Sequence, residues 1–163
     1  MITSALEFLR GQEVNKNNFL LFGDEPKLIL YIKKKIKSLH ANYEKVVISI
    51  EEKDFDEQLQ SAILSNSLFS EVKIIEFTSN KNRLSKLLVE RIQTISNLKT
   101  QNILIIELPQ ISQKLIANEL SSSLSDTLCT INCTPPTAHQ IKEYIASVSY
   151  TQLRAHETGR NLV

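Results

Sequence analysis

The chain has 163 residues, of which 42% are hydrophobic, so it can bury a core of ordinary size and is not a disordered protein. Its formal net charge of +1 argues against a domain that grips nucleic acid by its phosphates, and favours a protein partner. The sequence contains no apolar run of about 18 residues and no signal-peptide pattern at its start, so we expect a cytoplasmic protein with no membrane contact.

The first predicted elements are a helix, a strand and a second helix. Apolar residues recur with helical spacing over residues 2–10 and predict a short leading helix. The continuous apolar run at 19–22 is typical of a strand that is buried on both faces. Gly23 permits a sharp exit, Asp24 or Glu25 can cap the next helix, and Pro26 suits its first turn. That helix is predicted to reach about Leu39.

This junction is where a nucleotide-binding fold places its phosphate loop. A P-loop needs a second glycine followed by lysine and a hydroxyl residue, because these groups hold the phosphates and magnesium. Here Pro26 has no amide hydrogen, and Asp24 and Glu25 would repel phosphate. The sequence therefore predicts no nucleotide site at Gly23, and it indicates no other cofactor.

Four lysines, Lys33, Lys34, Lys35 and Lys37, lie near the end of the second helix. Cations are favourable there because they oppose the helix dipole, so we predict a solvated helix face. A contact with DNA or with an acidic neighbouring subunit is the alternative.

A strand over 46–50 leads to a helix in which Asp54 and Glu57 are spaced as a variant capping box. A polar turn at 65–67 then precedes the apolar pair Leu68 and Phe69, and the next strand is predicted over 72–77. The pair admits two interpretations. It can be a hydrophobic plug under the turn, or an exposed wedge that enters a pocket on a partner, and spacing does not decide between them.

The later elements are predicted as a helix over 84–95, a strand over 103–107, a short helix over 113–120 and a last strand over 128–133. Glu107 ends its strand where a Walker B motif would place acidic residues, but Leu108 and Pro109 follow it. We therefore predict that Glu107 is an acid in solvent.

The remaining candidates for chemistry are two cysteines and a histidine. Cys129 and Cys133 are four residues apart in the last predicted strand, about 13 Å, which is too far for a disulfide. We predict that both are small core residues and that the chain holds no metal site. Thr137 and Gln140 form a capping box for a final helix, and His139 is predicted to be solvated and not catalytic.

Five strands that alternate with helices predict an α/β fold with three layers and a mainly parallel sheet. Three stretches carry a family resemblance: F-L-L-F-G-D-E-P-K-L-I, S-N-S-L-F-S-E-V-K-I-I-E-F and C-T-I-N-C-T-P-P-T-A-H-Q-I-K-E-Y-I-A. Together, and in this order over about residues 1–148, they resemble the delta subunit of bacterial DNA polymerase III, a clamp-loader subunit.

The resemblance implies a RecA/AAA+-like domain without a working P-loop. It implies that Leu68 and Phe69 bind the sliding clamp, so that the protein opens this ring for loading onto primed DNA during replication. In the full-length protein, the other clamp-loader subunits would be partners and would hydrolyse ATP. Any contact with DNA would be indirect. No catalytic residue of its own is expected. A receiver-like or flavodoxin-like domain and a small α/β enzyme remain alternatives.

The resemblance also divides the chain. Residues 1–134 would form the clamp-binding domain, and 135–148 the first helix of a helical second domain. From Ser149 onward the sequence S-Y-T-Q-L-R-A-H-E-T-G-R-N-L-V has no Lys or Ile. It looks like translated sequencing adapter, so we expect 149–163 to be foreign and the chain to be a truncated product.

Overall fold

The computed structural model describes residues 2–11, 15–65, 72–120 and 128–160, and at 151–153 and 155–160 it describes the backbone only. The strands are β1 (Ile2–Ser4), β2 (Asn18–Phe22), β3 (Tyr43–Ser49), β4 (Val72–Thr78), β5 (Ile103–Leu108) and β6 (Leu128–Asn132). The helices are α1 (Ala5–Arg10), α2 (Pro26–Ser38), α3 (Phe55–Leu64), α4 (Lys86–Ser96), α5 (Gln113–Leu115), which continues as a π-helical turn (Ile116–Leu120), and α6 (Ala138–Arg160). In these ranges no helix is long and apolar enough to cross a membrane.

The strands form one parallel sheet in the order β1-β6-β2-β5-β4-β3. The predicted parallel α/β fold is therefore confirmed, and it is consistent with a RecA-like domain. The predicted count of five strands is wrong, because Ile2–Ser4 adds a sixth that pairs with β6. The leading helix starts later than predicted because the Ser4 side chain accepts from the Glu7 N–H (3.3 Å) and Glu7 Oε2 accepts from the Ser4 N–H (2.9 Å). This capping box fixes Ala5 as the first helical residue.

Helices cover both faces of the sheet and give the three predicted layers. On one face, α1 and α2 pack over the inward side chains of β2, β4, β5 and β6. That core contains Ala5, Phe19, Leu21, Leu28, Ile29, Ile32, Ile36, Ile74, Ile103, Ile105, Ile131 and Cys133. On the other face, α3, α4 and the π-helical turn contribute Phe55, Leu59, Ala62, Leu88, Ile92, Ile95, Ile116 and Leu120 to a larger core.

The strand β3 forms one edge of the sheet. It pairs with β4, and among the described strands it has no second neighbour. Ile48 points into the larger core, whereas Tyr43, Lys45 and Val47 alternate with the inward residues and are exposed on the α2 side. The helix α2 thus covers the centre of the sheet and leaves this face of β3 exposed.

Candidate functional site

The turn between β2 and α2 is built around Gly23, which has φ of 114°. A Cβ atom on Gly23 would lie 2.5 Å from the Cys133 carbonyl carbon and 2.6 Å from the Thr134 nitrogen. Glycine is therefore required twice, for the left-handed conformation and for the approach of the chain that leaves β6.

The polar groups of this turn bind other groups of the same chain. The Glu25 N–H donates to the carbonyl oxygen of Cys133 (3.0 Å), and the Cys133 N–H donates to that of Phe22 (2.6 Å). The Glu25 carboxylate accepts from the Lys27 N–H (3.2 Å), so Glu25 is the cap among the two predicted candidates, and Pro26 opens the helix. The turn is a junction of β2, α2 and β6 with an acidic side chain at the helix start.

Three of the four lysines near the end of α2 do not lie on a solvated face, so the prediction is wrong for these three. Lys33 contacts Glu107 Oε1 and lies 2.7 Å from Glu76 Oε2, and Lys37 Nζ lies 2.5 Å from Glu76 Oε1. Lys35 donates to the carbonyl oxygens of Phe8 (2.8 Å), Leu9 (2.9 Å) and Gly11 at the end of α1. Lys34 is exposed as predicted. Amphipathic spacing marked the helix but could not show that its lysines face acids on the sheet.

Two acidic residues of the sheet form ion pairs with lysines of α2. Glu107 is only 15% exposed and pairs with Lys33, so the prediction of an acid in solvent is wrong. Glu76, in the middle of β4, is 2% exposed and was not singled out from the sequence. A lone acid inside the apolar run of an interior strand was the available signal, because such a charge is buried only with partners.

The electrostatics of this cluster favour its charged state. Burial alone would raise the pKa of Glu76, but the hydrogen bonds and charges of Lys33 and Lys37 outweigh burial and hold that pKa below its ordinary value. Burial likewise opposes charge on Lys33, yet Glu107 and Glu76 raise its pKa above the ordinary value. The cluster, which also includes Lys45 Nζ at 3.6 Å from Glu76, joins α2 to β4 and β5.

The predicted clamp-binding residues Leu68 and Phe69 lie outside the described residues. The pair belongs to the segment 66–71, and the structure describes the residues on either side of it. The helix α3 ends at Leu64, which is 77% exposed, and β4 begins at Val72. Because α3 returns from the carboxyl end of β3, its last residue and the first residue of β4 both lie toward the amino end of the strands.

One side chain connects these two ends. Lys73, the second residue of β4, is 4% exposed, and its Nζ donates to Ala62 O (3.0 Å), Ser65 Oγ (2.6 Å) and Ser65 O. Its backbone N–H donates to Asn102 Oδ1 (3.1 Å). The end of α3 is thereby tied to the start of β4. This lysine was not predicted from the sequence, although a basic residue within an apolar strand marked it.

The other predicted helix caps differ in outcome. Asp54 occupies the N-cap of α3 but makes no side-chain capping bond, so the variant capping box is wrong. At the start of α6 the predicted box forms, since Gln140 Oε1 accepts from the Thr137 N–H (2.8 Å) and the Thr137 hydroxyl accepts from the Gln140 N–H (3.3 Å).

The candidates for catalysis offer little reactive chemistry. His139 is 81% exposed and lies 3.9 Å from the Glu143 carboxylate. Both cysteines are free, Cys133 buried and Cys129 half-buried, and burial raises the pKa of the Cys133 thiol to about 12. A protonated thiol is a poor nucleophile at neutral pH. Within the described ranges no group of three or more His, Cys, Asp or Glu residues is arranged to hold a metal ion.

Comparison with known proteins supports the resemblance found in the sequence. The family model described as DNA polymerase III, delta subunit, matches residues 19–134, from the first apolar residue of β2 to the residue after Cys133. A search of curated proteins found no match. The match covers the sheet from β2 to β6, the turn at Gly23, and both ends of the segment that contains Leu68 and Phe69. This chain belongs to the delta subunit family of DNA polymerase III, the clamp-loader delta subunits.

Proposed function

We propose that this chain binds the bacterial sliding clamp through Leu68 and Phe69 and, in the full-length protein, helps to open it for loading onto primed DNA. The family match over residues 19–134 carries the proposal, because it spans this pair. The described flanks are compatible with it. Leu64, 77% exposed, places an apolar side chain two residues before the segment that holds the pair.

The energetics of the proposed contact are simple. Burial of two large apolar side chains in a pocket supplies a few kcal/mol, about 2 kcal/mol for each side chain. A contact of this kind opens a ring only if it is stronger with the open ring than with the closed one. The pair would therefore act by differential affinity, and the chain would need no chemical step of its own.

Nucleotide hydrolysis belongs, in this proposal, to other subunits of the loader, with which the full-length protein assembles in the cytoplasm. The turn at Gly23 supports this division. Its Glu25 N–H donates to the chain's own backbone, and the Glu25 carboxylate stands at the start of α2, where a phosphate would be repelled.

The proposed division of the chain stays a prediction. The helix α6 runs from Ala138 to Arg160 and so spans the predicted boundary at residue 148. We propose that 135–148 begins a second domain and that 149–163 is foreign. Resequencing of the locus tests this, because an open frame that continues past Val148 with Lys-rich and Ile-rich sequence would support it, and the same stop codon would refute it.

The proposed contact is tested by measuring affinity for a bacterial sliding clamp by surface plasmon resonance. We expect Leu68→Ala/Phe69→Ala to weaken binding by at least about 2 kcal/mol, roughly 30-fold, as for a hot spot of an interface. The matched control is Leu30→Ala/Tyr31→Ala, which removes two adjacent exposed apolar side chains (49% and 51%) from α2.

The control should bind like the unmodified chain. Equal binding by all three proteins would show that Leu68 and Phe69 are not the contact. Absence of binding by the unmodified chain would remove the proposed function.

A further inference from the structure

A cavity of about 440 Å³ opens at the carboxyl end of β3 and β4, between the turn that follows β3 and the loop that joins β4 to α4. This volume is within the range of ligand-binding pockets in proteins. The cavity lies beyond Thr78, the last residue of β4, which is about 20 Å from Val72, the first, because a strand rises about 3.3 Å per residue. It is therefore separate from the end of the sheet at which α3 is tied to β4.

The walls of this cavity are held in place by hydrogen bonds within the chain. Arg91 of α4 donates to the carbonyl oxygen of Glu52 (3.0 Å), which fixes the turn after β3. The Ser79 hydroxyl donates to Glu51 Oε1 and accepts from the Lys81 N–H (3.3 Å), so the turn after β3 and the loop after β4 are joined. A cavity with fixed walls loses little conformational entropy when a ligand binds.

The cavity combines an apolar floor with a cationic rim. Ile50 and Leu88 line it and are buried, whereas Leu87 lines it and is 52% exposed. Lys81 and Arg83 also line it and are exposed. Among the described residues, neither of these two cationic groups takes part in an ion pair. An apolar surface beside two cations without acidic partners is complementary to a ligand that is both apolar and anionic.

We propose that this cavity binds a segment of a partner protein in which a large apolar side chain lies next to a carboxylate. The apolar side chain packs on Leu87 and Leu88, and the carboxylate pairs with Lys81 and Arg83. A partner protein fits better than a small molecule, because Leu87 is half-exposed at the rim and is covered only by a ligand that extends beyond the cavity. The inference does not depend on the proposed clamp contact.

Nucleic acid fits the cavity less well than a protein segment does. A nucleic acid carries a negative charge at every phosphate, and proteins that bind it through phosphates supply several cations. Here Glu51 lines the cavity and the exposed Glu52 follows it, so a polyanion would meet carboxylates on the β3 side. A single carboxylate directed at Lys81 and Arg83 avoids this repulsion.

The test measures the binding of short fluorescein-labelled peptides to the unmodified chain by fluorescence anisotropy. The probe carries a leucine between two aspartates, flanked by serines. One matched peptide has asparagine in place of both aspartates, and the other has alanine in place of the leucine. We expect the probe to bind at least about fivefold more tightly than either matched peptide, because each of these lacks one of the two contacts.

Variants of the chain assign the binding to the cavity. We expect Lys81→Ala/Arg83→Ala to weaken binding of the probe at least about fivefold, and Leu87→Ala at least about threefold. The matched control is Lys99→Ala/Lys114→Ala, which removes the same charge from exposed positions that do not line the cavity. The control should bind the probe like the unmodified chain. All of these side chains are exposed, so the variants should fold.

A charge reversal separates direct pairing from a merely structural role of the two cations. Lys81→Glu/Arg83→Glu should reject the probe and bind a peptide that has lysines in place of the aspartates. Equal binding of the probe by the cavity variants and the control would overturn the inference. Absence of probe binding to the unmodified chain, or tighter binding of a single-stranded oligonucleotide than of the probe, would also overturn it.

Discussion

Two groups of poorly exposed lysines lie on opposite faces of β4, and they are held in different ways. On the α2 face, Lys33 and Lys37 meet the carboxylates of Glu76 and Glu107. On the α3 face, Lys73 meets only carbonyl and hydroxyl oxygens among its described partners. Positions 73 and 76 face apart because side chains alternate along a strand.

The difference teaches what each arrangement can do. A cluster of opposite charges, with two lysines on one acid, attaches a whole helix to the sheet, and its strength depends on the protonation of carboxylates. An ammonium among carbonyl groups fixes one point of the chain, and its acceptors do not titrate. The first arrangement is suited to holding α2, and the second to fixing the end of α3.

The largest expected effect is that of Glu76→Gln. This change removes the acid that Lys33 and Lys37 share and leaves two poorly exposed cations beside each other, so the free energy of unfolding should fall by about 3 kcal/mol. Urea denaturation at pH 7 measures it. The control is Glu90→Gln, which breaks an exposed pair with Lys86 and should change stability by less than about 0.5 kcal/mol. A loss below about 1 kcal/mol for Glu76→Gln would show that the cluster does not hold α2.

Lys73→Met should come second, with a loss of about 2 kcal/mol. Methionine fills the space of the lysine stem but leaves the oxygens at the end of α3 without their donor, and an unsatisfied buried acceptor costs about 1–3 kcal/mol. The same denaturation series measures it. An unchanged free energy of unfolding would mean that water or other groups satisfy those oxygens, and Lys73 would then fix nothing.

The pH dependence of the free energy of unfolding should further distinguish the charged cluster around Glu76 from the contacts of Lys73. The pKa of Glu76 is lowered in the folded state, so its contribution to stability is complete above its unfolded value and is lost as the pH falls through the folded value. The pKa of Lys33 is raised, so its contribution is complete below its unfolded value and is lost only as the pH rises through the folded value. The stability difference between the unmodified chain and Glu76→Gln should therefore shrink between pH 7 and pH 3, whereas that for Lys73→Met should change less. Equal shrinkage for both variants would contradict this distinction.

The smallest effect is expected from Lys45→Met. Lys45 lies 3.6 Å from Glu76 but is 48% exposed, so solvent screens the pair and the change should stay within about 0.5 kcal/mol. A loss as large as that of Glu76→Gln would mean that β3 belongs to the charged cluster as firmly as α2 does.

The sequence predicted the alternation of strands and helices well, because buried parallel strands such as 19–22 and 103–107 are continuous apolar runs. It missed β1, because three residues are too few to show a period and Ile2 continues the helical spacing of α1. It also misplaced the lysines of α2, whose partners are remote in the chain; Lys33 and Glu107 are 74 positions apart. The candidate site came from family resemblance, since spacing alone did not distinguish a wedge at Leu68 and Phe69 from a plug.

The open side of β3 has a consequence for the protein in concentrated solution. An unpaired strand edge can recruit a strand of another molecule, and repeated recruitment leads to aggregation. Here the exposed apolar residue Val47 is preceded by two adjacent exposed charges, Glu44 and Lys45, which would have to be stripped of water before a second strand could dock. These two charges therefore oppose pairing between molecules, and replacing them with apolar residues should cause the protein to precipitate from concentrated solution.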